Sequence, residues 1–142
     1  MATILVSSCL LGCKCRYKGD GCACERVLAL AENHTLIPVC PEQMGGLPTP
    51  RDPSEKVGRS VFSCTGNNVT AQFRKGAENA LYLAKLTHAE YAVFKANSPS
   101  CGKGIIYDGT FTGGKKKGNG VTTALLLKNG IPVYREDEEW PF

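Results

Sequence analysis

The sequence predicts an α/β protein, a three-layer sandwich around a parallel four-stranded sheet of the flavodoxin or Rossmann-like kind, with residues 1–142 forming one domain. Short β-branched apolar runs alternate along it with stretches of helical periodicity. The links between them are short, and no repeat or linker divides the chain. Right-handed crossovers leave few ways to join such elements, and a flavodoxin-like order is the simplest.

Each element follows from its residues. "TILVSS" (Thr3–Ser8) is a buried strand ending before Gly12, and "CERVLALAEN" repeats Val27, Leu28, Leu30 and Ala31 at helical spacing. "TLIPVC" (Thr35–Cys40) is the second strand, with a proline awkward for a central position. A stiff, structureless loop rich in Gly and Pro follows to Glu55, and "VGRSVFSCTGNN" fits either a short hairpin or an extended segment. The longest helix candidate is "NNVTAQFRKGAENALYLAKLTHA", capped by Asn68, with Val69, Phe73, Ala77, Ala80, Leu81 and Ala84 on one face. "EYAVFKA" (Glu90–Ala96) is the third strand. "NGVTTALLLKNG" is a helix closed by Gly130, and "IPVYRE" is the last strand.

Composition excludes several function classes. A hydrophobic fraction of 42% and a charged fraction of 21% fit a globular chain rather than a disordered one. Apolar runs such as Ala124–Leu127 are too short to span a bilayer, and "MATILVSS" lacks the basic and extended apolar regions of a secretory leader. A cytoplasmic location is expected. The net charge of +4 includes the triplet Lys115–Lys117, which reads as a solvated loop. No aromatics interleave with it, so no clear nucleic-acid surface is present.

Cysteine usage is the unusual feature. Eight cysteines occupy positions 9, 13, 15, 22, 24, 40, 64 and 101. In a reducing compartment that number points to metal binding or catalysis rather than disulfides. Cys9, Cys40 and Cys101 each follow a predicted strand, and parallel strands end on one edge, where open α/β sheets bind ligands. Three converging thiols imply a metal site with an unfilled position. Cys64, without a partner, reads as a small buried hydrophobe, and His34 and His88, at helix ends, as surface residues. Zinc and iron–sulfur clusters both take thiolates, but "CLLGCKC" and "CAC" lack the two-residue gap common in structural zinc sites.

The segments "VSSCLLGCKCRY", "VCPEQMGGLPTPR", "VTAQFRKGA", "SPSCG", "YDGTF" and "GNGVTTALL" together resemble the thiouracil desulfurase family, from Leu5 to about Val133. Each is short, but six in this order are specific. The resemblance implies a [4Fe–4S] cluster held by Cys9, Cys40 and Cys101, with the fourth iron free for a substrate's sulfur. It also implies non-redox removal of that sulfur from 2-thiouracil or a similar small thiocarbonyl compound. Glu42 matches the catalytic acid/base and Ser98 the assisting hydroxyl, while Arg51 and Ser100 are expected at the substrate. For Arg51 an anchoring pair with Glu55 or Asp52 is the alternative, and Gly45–Gly46 would let the backbone pass close to cluster or substrate.

Two positions depart from the family pattern: Lys18 stands where "CRYKG" usually has an acid, and Asn97 where an Arg usually precedes "SPSCG". Both are expected near the pocket. The competing functions are a zinc-binding module built on Cys9–Cys24 without catalysis, and a carrier of sulfur or of the cluster.

Overall fold

The computed structural model describes residues 1–142. Its central sheet contains β1 (Thr3–Ser7), β2 (Thr35–Val39), β5 (Tyr91–Phe94) and β8 (Val133–Arg135), all parallel, in the order β2-β1-β5-β8. Between them lie α1 (Glu25–Leu28), α2 (Pro41–Met44), the hairpin β3 (Ser54–Val57) and β4 (Ser60–Ser63), and α3 (Thr70–Leu86). A second hairpin, β6 (Ile105–Tyr107) and β7 (Lys115–Lys117), precedes α4 (Val121–Lys128).

β1 shows why the sheet has two covered faces. Ile4, Leu5 and Val6 are each fully buried, the continuous apolar run expected of a central parallel strand. Successive side chains point to opposite faces. Ile4 and Val6 pack with Leu10, Val27 and Val93, whereas Leu5 packs with Ala80, Ala84, Phe94 and Leu126. The chain moves one way along the sheet through α1 and the other way through α3 and α4. Right-handed crossovers then place α1 on one face and the two longer helices on the other. Pro38 is tolerated because β2 is an edge strand.

Several expectations change in detail. The single helix expected over Cys24–Asn33 is α1 followed by a 3₁₀ turn at Ala29–Glu32. The segment after Cys40, expected to be structureless, begins with α2, which Pro41 opens at a position where its missing N–H costs nothing. "VGRSVFSCTGNN" resolves into the β3–β4 hairpin. The lysine triplet is a strand, not a solvated loop: it pairs with Ile105–Tyr107, and Lys116 Nζ donates to the Lys56 carbonyl at 3.0 Å. Asn68 Oδ1 accepts from the Thr70 N–H at 3.0 Å, and Phe73, Ala77, Ala80 and Ala84 are buried, though Leu81 is only partly so.

The acidic terminus folds back on the sheet edge. Glu136 pairs with Lys95 at 3.0 Å and Glu138 with Lys103 at 2.8 Å. Phe142 packs against Tyr91, and the Arg26 guanidinium sits 3.8 Å from the Trp140 ring centroid. No helix is long and apolar enough to cross a membrane.

Two glycines bring α2 against α3. The helices cross so closely that a Cβ on Gly76 would overlap the Pro41 carbonyl oxygen, and one on Gly45 would overlap that of Gln72. Gly45 therefore serves helix crossing, not approach to a ligand. Gly46, with φ 95° and open space around it, makes the left-handed turn out of α2. Replacing a helical glycine by alanine ordinarily gains about 1 kcal/mol. Gly76→Ala is expected to do the reverse, lowering stability by about 1–3 kcal/mol in urea unfolding, because the added methyl meets backbone that cannot yield. A stabilised variant would show that α2 is not pinned there.

Candidate active site

The reversal of direction in the sheet falls between β1 and β5, and ligands of doubly wound sheets bind outside the strand ends at such a point. A cavity of about 370 Å³ lies there. Ser7, Ser8 and Cys9 reach it from the end of β1, Cys40 and Glu42 from the end of β2 and α2, and Lys95 through Cys101 from the end of β5.

Local structure fixes each group. After β1 the chain turns through a 3₁₀ segment, Ser8–Leu11, which Gly12 ends at φ 95°. The Cys9 carbonyl accepts from Gly12 N and Cys22 N at 3.1 and 2.8 Å. Cys40 immediately precedes α2, so Glu42 lies in that helix's first turn. The "SPSCG" loop is held by the start of α4. Val121 N and Thr122 N donate to the Pro99 and Ser100 carbonyls, each at 2.9 Å, and Thr123 Oγ1 donates to the Cys101 carbonyl at 2.7 Å. Gly120 is required there, since a Cβ would lie 2.6 Å from the Ser100 carbonyl oxygen.

Arg51 spends its guanidinium on the protein itself. Its Nε donates to Glu42 Oε1 at 2.9 Å, Nη1 to Thr49 Oγ1 at 2.9 Å, and Nη2 to the Cys15 carbonyl at 2.9 Å. Neither expected pair forms. Asp52 accepts from Thr65 at 3.2 Å, and Glu55 accepts from Gly109 N and Phe111 N at 2.9 and 3.1 Å. The Arg51 side chain is 6% exposed and that of Glu42 15%, so this is a sheltered ion pair. Its partner choice reflects α2, which points Glu42 back toward the loop that carries Arg51.

The other carboxylate oxygen meets a line of hydroxyls. Ser100 Oγ donates to Glu42 Oε2 at 3.2 Å and lies 3.0 Å from Ser98 Oγ. Ser98 Oγ already accepts from Ser100 N and Cys101 N, both at 3.1 Å. Its proton is therefore free to be donated toward Ser100, giving a chain directed at Glu42. Ser100 Oγ is also 3.6 Å from Cys101 Sγ.

Cys9 and Cys101 are buried and Cys40 half-buried, and all three line the cavity. Burial, then the neighbouring Cys101, Cys22 and Cys40, pushes the Cys9 thiol up to about 12. Burial likewise pushes Cys101 up to about 12, against a hydrogen bond from Ser7 that favours its thiolate. Burial disfavours the Lys95 ammonium, but Glu136 outweighs it and keeps that cation's pKa above the ordinary lysine value.

Cys15, which spacing alone does not distinguish from its neighbours, is buried in the cavity wall with its thiol also pushed up to about 12, by burial and then by Cys40 and Cys9. Cys13 is exposed, and Cys22 and Cys24 are half-buried. Cys64 is exposed in the turn after β4, not a buried hydrophobe. His88 is exposed, but His34 is not a free surface group: its Nδ1 accepts from Ala2 N at 3.0 Å. Asn97 lines the cavity, whereas exposed Lys18 does not. Lys95 and Phe111 line it as well; Phe111 ends the segment "YDGTF", but neither residue is among those expected at the site. No three His, Cys, Asp or Glu side chains approach closely enough to share one metal ion.

A doubly wound α/β frame with a thiol-lined cavity at its switch point defines the general class. More narrowly, the chain belongs to the 2-thiouracil desulfurase family, whose model matches residues 4–138. It is similar to the uncharacterized protein YbbK of Bacillus subtilis, at 42% identity over 95% of this chain and 96% of that one. It is also similar to a solved [4Fe-4S]-dependent thiouracil desulfidase, TudS, at 46% identity and a TM-score of 0.91, over 96% of this chain and 92% of the other.

The ion pair holds α2, the Arg51 loop and the Cys15 turn together. Removing one partner of a sheltered pair strands the other charge, which typically costs about 3–5 kcal/mol. Arg51→Ala is expected to lose stability near the lower end of that range in urea unfolding. Arg51→Lys should lose less, because it keeps the charge but not the fork. An Arg51→Ala variant as stable as the parent would show the pair to be incidental.

Proposed function

We propose that this chain is a [4Fe–4S]-dependent, non-redox desulfidase acting on 2-thiouracil or a similarly small thiocarbonyl compound, with residues 1–142 working as one unit. The observation that carries this is the opening of Cys9, Cys40 and Cys101 into the same cavity as Glu42 and Ser98. The 46% identity to a thiouracil desulfidase supports it further.

The donor chemistry fits the cofactor. Cysteine thiolates are the usual ligands of such clusters. Cys9, Cys40 and Cys101 would hold it, each on a separate iron, which does not require the close approach that one shared ion demands. When bound, the cluster supplies a Lewis-acidic iron with a free position for the thiocarbonyl sulfur.

The remaining work falls to the chain's own groups. Net hydrolysis replaces C=S by C=O and releases hydrogen sulfide, with water supplying the oxygen and both protons. Glu42 takes a proton from the water that adds to the thiocarbonyl carbon and returns one to the departing sulfur. Arg51 holds one carboxylate oxygen at 2.9 Å and fixes its direction. Arg51 therefore acts on the substrate through Glu42. Ser100 connects the other oxygen to Ser98, and a proton is exchanged along that hydroxyl chain. The volume of about 370 Å³ suits a small ring, at the lower end of ordinary ligand sites. Eight free cysteines suit a reducing compartment, which we take to be the cytoplasm.

The test compares sulfide released from 2-thiouracil, per bound cluster, by the anaerobically reconstituted parent and by Glu42→Gln. The substitution keeps the side chain's shape and removes its titrating proton. A positioned acid/base typically contributes about 10²–10⁴-fold, so turnover should fall by that factor while iron per chain is retained. Equal turnover would transfer the proton role away from Glu42. A parent that retains its iron yet releases no sulfide would remove the function.

A further inference from the structure

We propose that Phe111, held at the cavity by Glu55, recognises the face of a planar ring and so selects cyclic thiocarbonyl substrates over acyclic ones. This rests on the desulfidase function above and narrows its substrate class.

Phe111 sits in the loop between β6 and β7 with φ 57°, one of three non-glycine residues in the left-handed region. A bulky side chain persists in that conformation only where its surroundings over-determine it. Here they do. Glu55 Oε1 accepts from both Gly109 N and Phe111 N, at 2.9 and 3.1 Å, and Glu55 is itself only 8% exposed. Asp108 Oδ1 accepts from Thr110 N at 2.9 Å and Thr110 Oγ1 at 2.6 Å. Gly109 lies so close to β3 that a Cβ would come within 2.8 Å of Val57 Cγ2. The loop is pinned at its base and in its middle.

What the pinning achieves is otherwise unexplained. Phe111 joins none of the hydrophobic clusters and remains 37% exposed, yet it lines the cavity together with Tyr107 and Tyr17. The remaining lining includes the thiols, Glu42 and the serine hydroxyls. An aromatic side chain kept out of the core, on strained backbone, lining the same cavity as the thiols suits a ligand with a flat apolar face. Aromatic side chains stack on pyrimidine rings regardless of sequence context, because every such ring has a π-face. An acyclic thioamide offers the same sulfur and no face to stack. Glu55 is a positioning residue in this scheme, since it acts only by orienting the loop.

The experiment measures KM for 2-thiouracil turnover, and equilibrium binding of 2-thiouracil, uracil and thiourea to the reconstituted holoprotein by ligand-observed NMR. For Phe111→Ala, KM and the dissociation constants of both ring compounds should rise roughly ten- to a hundred-fold, the span of one aromatic stack. Thiourea binding should change far less, and Phe111→Trp should restore ring binding. Glu55→Ala should reproduce the selective loss, while Glu55→Gln, which keeps an accepting oxygen, should largely avoid it. Equal weakening of rings and thiourea, or no weakening of either, would overturn the assignment. If the parent binds the rings but releases no sulfide, the reaction falls. Ring binding that still depends on Phe111 would then uphold this site, and independence from Phe111 would end it.

Discussion

Parallel strands can be joined only by carrying the chain back across a face, so all of them finish at the same edge of the sheet. That constraint produces the site. Cys9, Cys40 and Cys101 are far apart in sequence, but each follows a strand of one four-stranded sheet. The reversal of winding between β1 and β5 opens the crevice into which they face. No local zinc-finger-like spacing is needed, because the sheet supplies the proximity.

Proximity alone would leave a loose set of thiols. Three further devices fix them: the glycine crossing of α2 on α3, the fork of Arg51 on Glu42 and the Cys15 carbonyl, and the clasp of α4 on the Ser98–Cys101 loop. The last two use hydrogen bonds in sheltered positions, where such a bond is costly to leave unmade. The same devices would orient the proposed chemistry. Arg51 determines where Glu42 points, and α4 sets the line of hydroxyls that ends on it. In the proposed mechanism support and proton handling therefore share residues, and substitutions in one will disturb the other.

Much of this is legible in the chain, for identifiable reasons. The sheet strands are readable because Ile4–Val6 and Ala92–Phe94 are buried on both faces and form unbroken apolar runs. The long helix is readable from one periodic face. Short elements escape: α2 has four residues and little periodicity, and the strand Lys115–Lys117 pairs through backbone that lysine side chains do not advertise. Arg51's true partner depends on how α2 turns Glu42, nine residues earlier, while the Arg51 contact to Cys15 and the Glu55 anchor for Phe111 depend on contacts between distant segments. Residues 55 and 111 carry no mutual signal in sequence, since their meeting is decided by how two hairpins pack. Cys64 departs from expectation for a related reason: whether a turn faces inward is set by its neighbours, not by its composition.

The division of the cysteines by strand end, rather than by crowding, is what the proposed site stands on. Iron per chain after anaerobic reconstitution, measured for single serine variants, tests it most directly. Cys9→Ser, Cys40→Ser and Cys101→Ser are each expected to lose the cluster or retain a labile remnant, while Cys13→Ser, Cys24→Ser and Cys64→Ser should bind as much iron as the parent. Full iron in Cys40→Ser, or its loss from a folded Cys64→Ser, would contradict that division.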